Sequence, residues 1–176
     1  MEIIVLFIIA VSLSMDAFSL SLAYGTINLS KNNMLILSII VGIYHFFMPL
    51  VGMLFGNVII NYFPIKPETI VFFVLTIIGI QMIYESFKSK EIVKKMSIFE
   101  LIMFGFAVSI DSFSVGIGIK AITNLHFLSF LIFSVSSFTF TYLGLFLGNK
   151  ANLLLGKLST IIGGFVLIII GIIYLF

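Results

Sequence analysis

Apolar positions in this chain come in long unbroken runs. Ile3 to Leu13, Met34 to Ile60, Ile70 to Ile83 and Leu153 to Phe176 are nearly free of charge. About 20 apolar residues in helical form cross a hydrocarbon core. Lipid gives the backbone no hydrogen-bond partners, so only helices and closed barrels span it. Barrel strands alternate polar with apolar positions and these runs do not, so the pattern predicts helices. Polar breaks divide the chain into six predicted spans, 3–24, 34–59, 69–87, 98–119, 127–147 and 159–175. The breaks hold Asn28 to Asn33, Asn61 to Glu68 with Pro64 and Pro67, Lys88 to Ser97, Lys120 to His126, and Gly148 to Lys157. All are short, and none has room for a soluble domain.

Composition agrees with a membrane protein. Hydrophobic residues make up 61% of the chain and charged residues 9%, against roughly 25% charged in a soluble domain. Cysteine is absent, which removes disulfides and thiolate metal sites from consideration. No block of basic residues suits nucleic acid, and the net charge of +2 adds little. The opening Met1-Glu2-Ile3 lacks a positive n-region, and no small-residue cleavage pattern closes the first apolar run. That run reads as a retained first helix.

Lysine sets the expected orientation, since arginine is absent. The loops after spans 1, 3 and 5 hold Lys31; Lys88, Lys90, Lys94 and Lys95; and Lys150 and Lys157. The opposite side holds only Lys66 and Lys120. Lysine excess marks the cytoplasmic side, so both termini are expected outside.

The sequence repeats itself. Ser14-Met15-Asp16-Ala17-Phe18-Ser19 matches Ser109-Ile110-Asp111-Ser112-Phe113-Ser114 at four of six positions, 95 residues apart. Gly52 to Asn57 resembles Gly144 to Asn149, and Ile78-Gly79-Ile80 resembles Ile170-Gly171-Ile172, each 92 apart. Three spans per half is an odd number, so the halves must enter the membrane with opposite polarity. The expected fold class is therefore all-α integral membrane, with six transmembrane helices as two inverted three-helix repeats. The halves are residues 1–92, including the start of the middle loop, and 93–176, within one membrane domain. Many secondary transporters follow this plan, with their site at the midplane between repeats.

Asp16 and Asp111 carry the sharpest chemical signal. A carboxylate near the bilayer centre costs roughly 2.5–3.5 kcal/mol on insertion scales, and no lysine lies mid-span to neutralise either. A transported cation, a proton or a water-filled cavity offsets that cost. The alternative is a protonated carboxyl bonded to nearby serines. Inverted symmetry brings the two aspartates to one interface, where a pair of carboxylates favours a divalent cation.

Ser12, Asp16 and Ser19 share one helix face, as do Asp111, Ser114 and Gly118. Ser19 and Ser114 fall at the same repeat position and are candidate ligands or orienting groups; helix packing is the plainer role for a membrane serine. His45 stands in span 2, four residues before Pro49, and its repeat counterpart is Ser137. Imidazole ligates transition metals and relays protons, so His45 joins the candidate site, against a structural bond to a helix carbonyl. Met15 adjoins Asp16 but lies about 100° around the helix, so it is not counted.

Gly52 and Gly56, like Gly144 and Gly148, have the spacing that lets helices approach closely. Glu85 and Glu100 read as solvated residues at the cytoplasmic helix ends. Carboxylate and hydroxyl ligands suit Mg²⁺, Ca²⁺ or Mn²⁺, and a histidine tilts the choice to Mn²⁺ or another first-row metal. No nucleotide motif is present, so an ion gradient or the membrane potential must drive any transport.

At these residues the chain resembles the MntP family of bacterial manganese efflux pumps, over nearly its whole length. Ser14 to Ser19 looks like the family's first-helix motif, Gly42 to Gly52 its second helix, Gln81 to Phe87 the end of its third, and Ser109 to Gly116 its fourth. At His45 the chain departs from the acidic residue that other members carry. The resemblance implies a multi-pass protein of the bacterial plasma membrane that exports Mn²⁺ from the cytoplasm, with Asp16 and Asp111 in the transport path. Mn²⁺ is then substrate rather than cofactor, no enzyme activity is expected, and protons are a plausible counter-ion for the same carboxyls. YtaF-type sporulation membrane proteins share a similar aspartate–phenylalanine pattern but have a longer central loop; they supply a non-transporting alternative. Exporters of another divalent metal or a small solute are a second.

The expectation is a secondary transporter in which Asp16 and Asp111 bind Mn²⁺ and His45, Ser19 and Ser114 shape the site. Rocking of one repeat against the other is expected to give alternating access.

Overall fold

Each predicted span forms one helix. The computed structural model describes residues 2–62, 67–88, 97–155 and 157–175. They form α1 (Glu2–Gly25), α2 (Lys31–Tyr62), α3 (Pro67–Lys88), α4 (Ile98–Ile122), α5 (His126–Leu155) and α6 (Lys157–Leu175). In α1, α2, α4 and α5 the apolar stretch is long enough to cross a membrane. Those of α3 and α6, Leu75–Tyr84 and Leu158–Ile173, are shorter.

Two helix ends differ from the sequence expectation, and polar side chains explain both. The Asn28–Asn33 break is narrower than predicted. Asn28 takes a left-handed turn with φ of 60°, a conformation that asparagine tolerates better than most residues. Ser30 then accepts a bond from the Asn33 amide at 3.2 Å, which caps α2 at its start. At the other end, α5 runs to Leu155, well past the predicted end at 147. Its asparagines read as loop residues but bond across helices. Asn149 Nδ2 donates to Leu29 O at 2.6 Å, and Asn152 Nδ2 donates to Thr26 O at 2.5 Å. They satisfy carbonyls of the turn between α1 and α2. Thr160 Oγ1 of α6 donates to the same Thr26 carbonyl at 2.6 Å.

Glu100 is not a solvated end residue. Its Oε2 accepts from the Ser97 amide at 3.1 Å, at the start of α4, and its Oε1 accepts from Gln81 Nε2 of α3 at 2.5 Å. Lys90, Lys94, Lys95 and the expected boundary between residues 92 and 93 lie outside the described residues. So do Lys66 and the side chains of Glu85, Lys88, Lys120 and Lys157.

Contacts along the helices fix their directions. α1 and α4 are antiparallel: Tyr24 stacks on Phe104 with ring centroids 4.5 Å apart, and Thr123 Oγ1 donates to Glu2 at 2.9 Å. α1 runs parallel to α5 and α2 parallel to α4, each pair in close backbone contact. A Cβ at Gly144 would lie 2.6 Å from Phe18 O, and one at Gly52 would lie 2.2 Å from Phe113 O. Only glycine permits such an approach. α3 and α6 are antiparallel and touch through Gly79 and Gly164.

The larger apolar core joins Leu20 and Tyr24 of α1, Leu101 and Phe104 of α4, Leu75 of α3 and Leu167 of α6. A smaller core joins Leu6, Ala10 and Leu13 of α1 to Ile119, Phe130 and Phe133. The space between the two cores, along α1 and α4, is where the candidate residues fall.

Candidate cation site

Because α1 and α4 are antiparallel, one level of the bundle holds the middle of both. Tyr24–Phe104 marks one side of that level and Glu2–Thr123 the other. Asp16 and Asp111 lie between, with their carboxyls within hydrogen-bonding reach of each other. Asp111 Oδ1 accepts from the Ser112 amide at 2.8 Å, while Oδ2 is buried and has no donor among the described residues. Two carboxylates side by side repel each other, and a positive charge between them relieves the repulsion. A proton or a metal ion meets that need.

Ser19 and Ser114 each follow their aspartate by three residues and are exposed beside it. Ser19 Oγ donates to Met15 O at 2.9 Å, and Ser12 Oγ to Ile8 O at 2.9 Å. These bonds use the hydroxyl hydrogens and leave oxygen lone pairs for an ion or water.

His45 is placed differently. It is fully buried between α2 and α4, with Nδ1 3.0 Å from Val41 O and 2.9 Å from Ser109 Oγ. Its Nε2 is buried, with no partner among the described residues. Among the described residues, no three His, Asp or Glu side chains come together as a metal-binding group. The structure therefore brings Asp16 to Asp111 and sets His45 against Ser109, two residues before Asp111 on α4.

Sequence reasoning passed over Ser109 and Ser14. Ser14 Oγ lies 2.6 Å from Ala10 O, 2.7 Å from Ser136 Oγ and 3.3 Å from Ser137 Oγ. Ser109 Oγ lies 2.8 Å from Gly105 O as well as beside His45. Both serines open the repeated hexapeptides, so the identity there was a signal. It marks a polar contact between helices rather than a ligand.

Comparison with known proteins bears on this arrangement. A family model, Mntp, described as "Putative manganese efflux pump", matches residues 28–175. A protein of Bacillus pumilus named "Putative manganese efflux pump MntP" is 34% identical over 177 residues, covering 99% of this chain and 96% of its own. Relatives of the same name from Methanobrevibacter smithii and Bacillus licheniformis are 37% and 36% identical. They cover 97% of this chain in both cases, and 95% and 92% of their own length. No solved structure matches the chain.

Proposed function

Since this chain belongs to the Mntp family of efflux pumps, we propose that it exports Mn²⁺ from the cytoplasm through a site made by Asp16 and Asp111. It is a transport protein rather than an enzyme. The observation that carries the reading is the meeting of those two carboxyls, one from α1 and one from α4, in the middle of an apolar bundle. Carboxylate oxygens suit Mn²⁺, and Ser19 and Ser114 add hydroxyl oxygens on the same faces. His45 contributes from the neighbouring α2–α4 interface and shapes the site. The carboxyls take up protons as the metal leaves, which makes protons the counter-ion.

Two inverted repeats, 1–92 and 93–176, underlie the site. Support comes from contacts that correspond under the repeat offsets. Gly52 against Phe113 corresponds to Gly144 against Phe18. Ser109 beside His45 corresponds to Ser14 beside Ser137. The antiparallel course of α1 and α4 fits the same plan. The lysine distribution puts both termini outside.

Purified protein in sealed vesicles with an entrapped manganese-quenched dye tests the proposal. The wild type should carry Mn²⁺ across the vesicle membrane, and faster with an opposing proton gradient. Asp16→Asn and Asp111→Asn should each reduce the rate to that of empty vesicles. Equal flux in all three proteins would rule out the carboxylate site.

A further inference from the structure

At four pairs of corresponding positions along α1 and α4, exposure differs between the two sides of the aspartate pair. Towards the α1 N-terminus and the α4 C-terminus, Met15 is 48% exposed and Ile122 40%. Their counterparts under the 95-residue offset are Ile110 and Ile27, on the opposite side, and each is only 8% exposed. Ser12 and Gly118 are likewise exposed, while their counterparts Ala107 and Ala23 are buried. A Cβ at Gly118 would meet nothing within 4 Å. α1 and α4 do meet again at Glu2 and Thr123, so the opening runs beside that contact, along Ser12, Ser114 and Gly118.

The seat of α3 and α6 accounts for the difference. α6 reaches α1 at Ala23 and Thr26: a Cβ at Gly163 would lie 2.5 Å from Ala23 O, and Thr160 bonds to Thr26 O. α3 reaches α4 through Gln81 and Glu100. These contacts all lie on the side of the α1 C-terminus.

Within each body, however, the repeat contacts match. In the α3–α6 pair, Gly79 faces Gly164 O and Ile168, and Gly171 faces the corresponding Phe72 O and Thr76. In the α1, α2, α4 and α5 bundle, the Gly52 and Gly144 contacts correspond, as do the His45 and Ser137 contacts. The contacts that α3 and α6 make with α1 and α4 lack that match among the described residues: Gly118 meets nothing where Ala23 meets α6, and Val5 and Ile173 are exposed where Glu100 and Gln81 bond.

We infer that the α3–α6 pair moves as one unit between two equivalent seats on the four-helix bundle, and that this structure holds it in the seat that leaves the aspartates open towards the α1 N-terminus. The inference rests on the inverted-repeat reading above and changes what moves. The mobile unit takes one helix from each repeat, so neither repeat rocks as a whole. Bound cargo shifts the populations of the two seats by its difference in affinity for them. Under the proposed orientation this structure faces outside. In the other seat, the contact of Gln81 with Glu100 gives way to that of Ile173 with Val5. Both of these residues are exposed here, at 66% and 41%.

The chain has no cysteine, so paired substitutions can be cross-linked without background. Gln81→Cys with Glu100→Cys reports the present seat, and Val5→Cys with Ile173→Cys the other. The full-length double variants would be treated in membranes with a reducible thiol cross-linker, with and without Mn²⁺. Both pairs should link, Mn²⁺ should change their two yields in opposite directions, and either link should stop Mn²⁺ export until it is reduced. If Val5 and Ile173 do not link while the unlinked variant exports Mn²⁺, the two-seat motion is wrong and the transport reading stands. If both pairs link but wild type moves no Mn²⁺, the motion stands and the cargo assignment falls.

Discussion

His45 Nδ1 lies 3.0 Å from Val41 O and 2.9 Å from Ser109 Oγ, and the carbonyl decides which ring nitrogen holds the hydrogen. A carbonyl only accepts, so a bare Nδ1 would face it lone pair to lone pair. Nδ1 therefore carries the hydrogen and donates to Val41 O. Ser109 gives its own hydrogen to Gly105 O, 2.8 Å away. Nε2 is then left as a buried lone pair with no donor, the form in which histidine accepts a proton or a metal.

That tautomer is open to measurement. Nitrogen chemical shifts of labelled His45 should show a protonated Nδ1 and a bare Nε2. Ser109→Ala should cost about 1 kcal/mol, as a typical lost hydrogen bond does, read as a lower melting temperature in detergent. A protonated Nε2 would overturn the assignment.

Backbone approach between the helices predicts a sharp contrast among glycines. A Cβ at Gly52 would sit 2.2 Å from Phe113 O, whereas one at Gly118 meets open space. Gly52→Ala and Gly144→Ala should each cost about 1–3 kcal/mol through overpacking. Gly118→Ala should be neutral or stabilising by up to about 1 kcal/mol, from helix propensity. Thermal unfolding of the three variants compares them directly, and equal stability would contradict the close-contact account.

Gly118 also separates folding from transport. The second seat of the α3–α6 pair brings α3 against this position, where the corresponding Ala23 now meets α6. Gly118→Leu should keep the wild-type melting temperature and lose most Mn²⁺ export. Full export by that variant would argue against the second seat.

On the opposite side of the aspartates, Tyr24 and Phe104 close the path. Tyr24→Ala removes a buried ring from a 4.5 Å stack and should cost roughly 3–5 kcal/mol. Tyr24→Phe keeps the ring and should keep export. Vesicles holding the alanine variant should leak Mn²⁺ down its gradient without a proton gradient; tight vesicles would show that the stack is not the seal.

The six helices were legible because uninterrupted apolar runs admit little else in lipid. The expectation that Asp16 and Asp111 meet came from the matching hexapeptides, which converge if the two halves run in opposite directions. Helix ends were harder to read. Asn149 and Asn152 carry loop-like side chains, but their partners at Leu29 and Thr26 lie far away in sequence. Glu100 looked solvated because Gln81, which holds it, belongs to another helix. The seat of α3 and α6 on one side only was beyond sequence. A pattern that repeats between the two halves does not say against which ends of α1 and α4 the pair rests.

Cytoplasmic manganese in a manganese-sensitive bacterium lacking its own exporter tests the central claim most directly. Wild type, Asp16→Asn and Asp111→Asn would be expressed at equal membrane levels. Wild type should lower cell manganese and restore growth, and neither variant should do so. Unchanged manganese in all three strains, or equal lowering by all three, would contradict export through the aspartate pair.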